Sequence, residues 1–382
     1  MSSPNAPLRI LFVFRAPLGG LFRQVIDLIR FQSKAGHQIG VIADSLTGGD
    51  RAVEVFKELA PLCPLGIHRL PMHRNPHPSD LSNIAAINRI VREKRVDVLH
   101  GHGSKGGLYA RIGAVFGRSG PVRAYTPHGG SFNYQPGTAL HKAYMMVERL
   151  LERGTDVFTF ESRYIANRFF EECGQTDKLV HIVLNGLYPH EFEPRKLVAN
   201  PTDILFIGEL RAAKGIDTLI QALARLKSEG RAVSATIIGG GPDDQMLKDM
   251  TRSLHIEDQT TFTGPMLGSE GIRRGRIMVV PSRAESLPYI VLEAVGAQVP
   301  LVTTNVGGIP EIVGDDYDWM IPSGDLEALL ATLRTAVNAP DAALAERARR
   351  LAARARPIFD AQKMADDVIA AYREAIAARR GS

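Results

Sequence analysis

The chain has 382 residues, 45% of them hydrophobic and 23% charged, with a formal net charge of +5. This length and balance describe a folded protein of about two domains and exclude a disordered or low-complexity chain. Apolar runs are strand-sized, so no membrane-spanning helix is expected. The first of them, Ile10–Phe14, is too short for the core of a secretory signal. Two cysteines, Cys63 and Cys173, fit a reducing compartment without a disulfide framework, and a cytoplasmic location is expected.

The charge is uneven. Residues 1–190 carry 23 Lys and Arg against 15 Asp and Glu, and the remainder carries 23 against 26; ten of the eleven histidines also fall in the first part. A basic half points to an anionic partner, such as a phosphorylated substrate or an anionic membrane surface. Nucleic acid is not expected, because there is no Lys/Arg-rich run, no basic patch interleaved with aromatics and no known binding motif.

In chain order, strand-like runs alternate with amphipathic helix patterns. Strand 9–14 is followed by a glycine turn, a helix over about 20–35 and strand 38–43. Further strands are expected at 66–70, 96–100, 122–125, 157–161 and 180–183. Helices fill the gaps at 50–60, 79–94, 104–116, 137–153 and 162–172. The rhythm pauses at 185–203, a polar stretch holding Pro189, Pro194 and Pro201, which reads as an interdomain linker. It restarts with strands at 204–207, 232–238, 260–263, 277–280, 301–304 and 319–321, and helices at 215–228, 243–254, 287–297 and 324–336. The tail is helical with a break at Pro357. Repeated βαβ units predict an α/β fold of two Rossmann-like doubly wound domains facing a cleft. The expected bounds are 1–190, a linker at 191–202 and 203–357, with a final helix over 358–382. Ligands in such sheets bind at the carboxyl ends of the strands.

Several motifs fall at those ends. Gly19-Gly20 suits either a tight turn or a phosphate approached by backbone N–H groups at a helix start. Neither it nor Gly239-Gly240-Gly241-Pro242 forms a dinucleotide fingerprint. Arg211 and Lys214 suit a diphosphate, Arg as a fork and Lys as a point charge, or are solvated loop cations. His100-Gly101-His102 and His128-Gly129-Gly130 also follow strands. They suit sugar hydroxyls or a general base; a metal is not expected, since no third ligand is well spaced. Asp316-Tyr317-Asp318 is a literal D-x-D, for which an Asx turn is the expected use. Glu285 and Glu293 place two carboxylates at one strand-to-helix junction, Glu285 at an exposed turn and Glu293 inside the helix, with Ser286 as candidate N-cap and Pro288 in the first turn.

The ordered set Gly208…Lys214-Gly215, Gly239-Gly240-Gly241-Pro242, Phe262-Thr263-Gly264, Pro281-Ser282…Glu285…Pro288…Leu292-Glu293-Ala294 and Gly307-Gly308-Ile309-Pro310-Glu311 resembles the retaining glycosyltransferases of family four, of GT-B fold. Gly19-Gly20, Asp97–His102 and Thr126-Pro127-His128-Gly129 extend the resemblance over nearly the whole chain, and relatives of this fold imply that the final helix 358–382 packs back on the first domain. It implies transfer of a sugar from a nucleotide-diphosphate sugar, such as a UDP- or GDP-sugar, by front-face substitution with no metal and no other cofactor. It assigns Glu293 to the ribose, Glu285 to the transferred sugar, Lys214 and Arg211 to the diphosphate, Gly20 to the same phosphates and His128 to the donor sugar near the reacting centre. Gly19, Gly208, Gly240, Pro242, Ser286 and Leu287 complete the expected donor pocket. One departure is Glu209, which stands where the family often has Arg.

The expected acceptor is a sugar, lipid-linked or on a growing polysaccharide, at the inner face of the membrane. The loop His73–Pro78 is a candidate acceptor element. The helix carrying Phe22, Arg23, Arg30, Phe31 and Lys34 is a candidate lipid contact, or an ordinary core helix. A sugar-nucleotide epimerase or a soluble sucrose- or glucan-type synthase of the same fold is the alternative. A non-enzymatic sugar-nucleotide binding module is disfavoured by the intact Glu285, Glu293, Lys214 and His128.

Overall fold

The computed structural model describes residues 6–115, 120–133 and 137–381. Residue 116 of the expected helix 104–116, and residue 382, lie outside them. The chain divides into two compact units, with boundaries at Gly186/Leu187 and Asp360/Ala361.

Unit 1 begins with β1 (Arg9–Phe14), α1 (Gly19–Lys34), β2 (Gln38–Asp44), α2 (Gly49–Leu59), β3 (Gly66–Leu70), α3 (Ser79–Glu93) and β4 (Val98–His102). It continues with α4 (Gly103–Val115), β5 (Val122–Thr126), α5 (Ala139–Glu152), β6 (Val157–Phe160), α6 (Arg163–Cys173) and β7 (Leu179–Ile182). The strands form one parallel sheet in the order β3-β2-β1-β4-β5-β6-β7. β1 shows why the sheet is two-sided. Ile10, Phe12 and Phe14 enter the core on one face with α1, while Leu11 and Val13 enter the core on the other. A strand covered on both faces reads as an unbroken apolar run.

Unit 2 holds β8 (Thr202–Ile207), α7 (Ile216–Ser228), β9 (Ala235–Ile238), α8 (Asp244–Ser253), β10 (Thr260–Gly264), α9 (Gly268–Gly271) and β11 (Gly275–Val280). Then follow α10 (Tyr289–Gly296), β12 (Leu301–Thr304), α11 (Ile309–Val313), β13 (Met320–Ile321), α12 (Leu326–Asn338) and α13 (Asp341–Ala355). Its parallel sheet runs β10-β9-β8-β11-β12-β13. In both sheets the strand order reverses beside the first strand, between β1 and β4 and between β8 and β11. Loops diverge there and leave a crevice at the carboxyl ends.

The stretch 191–202, expected as a linker, belongs to unit 2. Phe192 is buried, and the Arg195 and Val198 N–H groups donate to the carbonyls of Ala297 and Arg273, both at 3.0 Å. The Thr202 N–H likewise donates to the Arg274 carbonyl at 2.9 Å, so the stretch is tied into the unit by its backbone. The chain then returns to unit 1 as α14 (Ala361–Gly381). Met364, Ala365, Val368, Ala371, Tyr372 and Ala375 of this helix join the core that holds α1, and α14 packs against α1, β5 and β6.

Candidate active site

In unit 2 the loops after β8 and β11, the two strands flanking the reversal, bring Lys214 and Glu285 together. Lys214 Nζ donates to Glu285 Oε1 at 2.6 Å, and Ser282 Oγ donates to the same oxygen at 2.7 Å. Glu285 is buried rather than at an exposed turn, as expected from its loop position. Both donors converge on Oε1, so Oε2 has no protein partner among the described residues. An ammonium has three N–H groups, and this contact occupies one. Two glycines make the approach possible. A Cβ on Gly215, whose φ is +65°, would lie 2.0 Å from the Pro281 carbonyl oxygen. A Cβ on Gly307, φ +63°, would lie 2.2 Å from that of Glu285.

Arg283, which the sequence does not single out, fastens the two loops. Its guanidinium donates to both carboxylate oxygens of Asp217, at 2.7 and 2.6 Å, to the Ala212 carbonyl at 2.7 Å and to Thr218 Oγ1 at 3.0 Å. Burial pushes the Asp217 carboxyl up, but the Arg283 hydrogen bonds win and hold it below its ordinary value. Arg211 does not join Lys214. Its exposed guanidinium lies 3.4 Å from Glu209, the residue that departs from the family pattern.

Gly208, Gly240 and Pro242 lie at the ends of β8 and β9. The Gly208 N–H donates to the Ile238 carbonyl and the Leu210 N–H to that of Gly240, both at 3.0 Å. A Cβ on Gly239 would lie 1.8 Å from the Gly208 oxygen. Glu293, half-buried in α10, points at the start of α9: a Cβ on Gly268 would come within 2.9 Å of its Oε2. Leu287 is buried. Ser286 is not the N-cap of α10. Pro288 holds that position, with extended backbone and no side-chain cap. A residue before proline is kept out of the helical region, so the helix starts later, and the Ser286 carbonyl accepts the Gly308 N–H at 2.5 Å.

In unit 1, Gly19 and Gly20 are exposed at the start of α1, which has no side-chain cap and no acidic residue in its first turn. An uncapped N-terminus suits an anion. His128 follows β5 with φ +54°, a left-handed conformation continued by Gly129 and Gly130. Such a backbone is costly for a non-glycine residue and persists only when its surroundings fix it. Ser131 provides one fixing point: its hydroxyl donates to Glu148 Oε1 at 2.8 Å, while Glu148 Oε2 accepts from the fully buried Arg111 at 2.8 Å. His102, at the end of β4, provides another, its Nδ1 lying 2.9 Å from His128 Nε2.

His102 Nε2 is buried without a partner among the described residues. A buried orphan N–H is rarer than an under-used lone pair, so the network assigns the His102 proton to Nδ1, which donates to His128 Nε2. His128 then carries its own proton on Nδ1. Burial pushes the His128 pKa down to about 3, and burial with the neighbouring imidazoles pushes that of His102 well below its ordinary value. His128 is thus a neutral hydrogen-bond donor and a poor base at neutral pH. His100 is a structural residue. Its Nδ1 pairs with Tyr372 Oη of α14 at 2.6 Å and its Nε2 with Thr126 Oγ1 at 2.9 Å.

Among the described residues no group of three His, Cys, Asp or Glu side chains is placed to hold a metal ion. Asp316 and Asp318 instead pair with Arg354 and Arg347 of α13. The loop His73–Pro78 is tied to the start of α4, where Lys105 Nζ donates to the Asn75 carbonyl at 3.2 Å and to Asp80 at 2.7 Å. The candidate lipid contact on α1 is a core helix: Phe22 is buried, and Arg23 pairs with the buried Asp27 at 3.0 Å. No helix among the described residues is long and apolar enough to cross a membrane.

Residues 18–191 match the family model Glycosyltransferase Family 4, and residues 189–357 match Glycosyl transferases group 1. Glycogen synthase of Mycobacterium tuberculosis is 26% identical over 391 aligned residues, covering 95% of this chain and 92% of that protein. The GDP-mannose-dependent alpha-(1-6)-phosphatidylinositol monomannoside mannosyltransferase of the same organism is 27% identical over 212 residues, covering 50% of this chain and 54% of that protein. Among solved structures, HepE of Anabaena in complex with UDP-glucose shares the fold, with a TM-score of 0.77 at 18% identity over 98% of this chain and 99% of that one. The two family matches run almost end to end across both units. The chain is therefore a GT-B glycosyltransferase of family four.

Proposed function

We propose that the chain transfers a hexose from a UDP- or GDP-sugar to a lipid-linked or growing polysaccharide acceptor, with retention at the anomeric carbon and without a metal or other cofactor. The observation that carries this reading is the Lys214–Glu285 pair at the strand-order reversal of unit 2. As the bond between the anomeric carbon and the phosphate oxygen breaks, negative charge collects on the leaving diphosphate. The acceptor oxygen bonds to the same face, and its proton passes to a leaving-phosphate oxygen. A fixed ammonium next to that charge lowers the barrier, and Lys214 has N–H groups beyond the one given to Glu285. Glu285 Oε2 accepts a hydroxyl of the transferred sugar, Glu293 holds the ribose, the backbone at Gly20 serves the phosphates, and the Nδ1–H of His128 donates to a sugar oxygen. The mannosyltransferase relative, named for a phosphatidylinositol acceptor, supports a lipid-linked acceptor and a place at the cytoplasmic face of a membrane. The glycogen synthase relative spans nearly the whole chain and supports a soluble glucan synthase as the second reading.

Thermal shift against a panel of UDP-, GDP- and ADP-sugars tests the donor, since a ligand that binds only the folded state raises its stability by mass action. A matched donor raises the melting temperature, and the anomer of the product, read by NMR, reports retention. Activity persists in EDTA. An inverted product or a chelator-sensitive enzyme overturns the corresponding part of the proposal.

A further inference from the structure

Thr138 N-caps α5 by accepting the His141 N–H, and the inner face of the helix buries His141, Met145, Glu148 and Leu151. At 100° per residue the opposite half-turn carries Leu140, Ala143, Met146, Val147 and Leu150. These are not core residues: Leu140 is 54% exposed, Met146 69%, Val147 39% and Leu150 49%. A solvent-facing helical surface ordinarily carries charged and polar residues. Here an apolar stripe faces outward, bordered along one edge by Lys142, Arg149 and Arg153, all exposed. The exposed arc holds no carboxylate. Of the two acids on α5, Glu148 is buried against Arg111, and Glu152, on the inner side, accepts the Thr176 hydroxyl.

We infer that the outer face of α5 is a docking surface for an anionic lipid bilayer, with the apolar stripe entering the interface and the three cations meeting lipid phosphates. An outward apolar face edged by Lys and Arg is the pattern of helices that lie in a membrane interface. The net positive charge of residues 1–190 adds long-range attraction to such a surface. A second copy of the chain is a poorer occupant. A two-fold pairing of this helix would bring Lys142, Arg149 and Arg153 near their own images with no carboxylate on the face to neutralise them. The inference deepens the proposed function and rests on it for an acceptor carried by lipid.

Sedimentation of the full chain with vesicles of equal parts phosphatidylglycerol and phosphatidylcholine tests it. At low salt the partition coefficient is expected to exceed that for pure phosphatidylcholine by about tenfold or more, and to fall as salt is raised. The double variant M146E/L150E is expected to lose binding to both compositions, and K142E/R153E to lose the preference for phosphatidylglycerol. These side chains are exposed, so folding is retained, and the donor-induced thermal shift of both variants should match the wild type. A wild-type chain that stays in the supernatant at low salt overturns the inference. So does equal binding by wild type and M146E/L150E. A dimer in ultracentrifugation that M146E/L150E converts to monomer also overturns it and assigns the face to a second copy. Absence of vesicle binding by the wild-type chain with its donor shift intact removes this inference alone, whereas absence of any donor shift removes the functional reading.

Discussion

Lys214 and Glu285 act on each other before either meets a ligand, and this separates the consequences of changing them. Lys214→Ala removes the charge next to the leaving group and leaves a buried carboxylate with one donor, Ser282. Turnover is expected to drop about 10²-fold or more, with a lower melting temperature alongside. Glu285→Gln keeps the volume and an acceptor oxygen for Lys214, so it should lower turnover with less loss of stability. Comparing the two by steady-state kinetics and calorimetric melting checks the distinction; similar turnover for Lys214→Ala and wild type removes Lys214 from the mechanism.

His102 makes a second prediction. His102→Asn keeps an amide donor near the Nδ1 position, whereas His102→Ala does not. The 15N chemical shifts of His128 should report the Nδ1–H tautomer in the wild type and in His102→Asn, and a mixture in His102→Ala. A pH effect follows with a definite sign. His100 and His102 are buried with pKa values held well below 6.5. Between that value and the folded-state pKa, the unfolded chain binds protons that the folded chain refuses. Stability is therefore full above pH 6.5 and falls as the pH drops, by about 1.4 kcal/mol per pH unit for each histidine. Urea midpoints at pH 7.5 and 5.5 should differ accordingly, and less so in His102→Asn. Spacing in the sequence placed these histidines at strand ends but did not say that one would support another, because that pairing joins neighbouring strands through residues 26 positions apart.

At the level of elements, strand and helix positions were legible because parallel strands covered on both faces read as solid apolar runs. Loop fastenings were not. Arg283 looks like any loop cation in the sequence, and only the fold puts Asp217, Thr218 and the Ala212 carbonyl around it. The start of α10 was misread at Ser286 because capping chemistry was weighed without the restriction that Pro288 places on its predecessor. Gly215 offers the sharpest test of the loop geometry. Gly215→Ala forces a Cβ into the Pro281 carbonyl at a left-handed φ. The cost is expected to be about 2 kcal/mol or more, with the displaced Lys214 weakening donor affinity. Urea denaturation and donor titration calorimetry together check it, and an alanine variant as stable as the wild type contradicts the backbone argument.

At the scale of the molecule, the sequence showed two βαβ series and a helical tail, which the family resemblance returned to the first domain, but it placed the boundary in the proline-rich stretch 191–202. Composition marks where the chain is polar, not where its N–H groups find partners, and here they find them in unit 2. The actual crossings are at Gly186/Leu187 and Asp360/Ala361. The Leu187 N–H donates to the Phe359 carbonyl at 2.9 Å, so the two ends of unit 2 lie side by side.

Seen through α14, unit 2 is an insertion within unit 1, and the two cannot be separated by a single cut. Residues 187–360, excised with their adjoining ends, are expected to fold alone and melt cooperatively. Residues 1–186 lack the helix that packs against α1, β5 and β6, and should remain soluble and near-native only when 361–381 is supplied, as a fusion through a flexible tether or as a peptide added in trans. Far-UV circular dichroism and hydrogen exchange of the two fragments would reveal the asymmetry. A permutant that joins 361–381 ahead of residue 6 would place all of unit 1 in one contiguous stretch of chain.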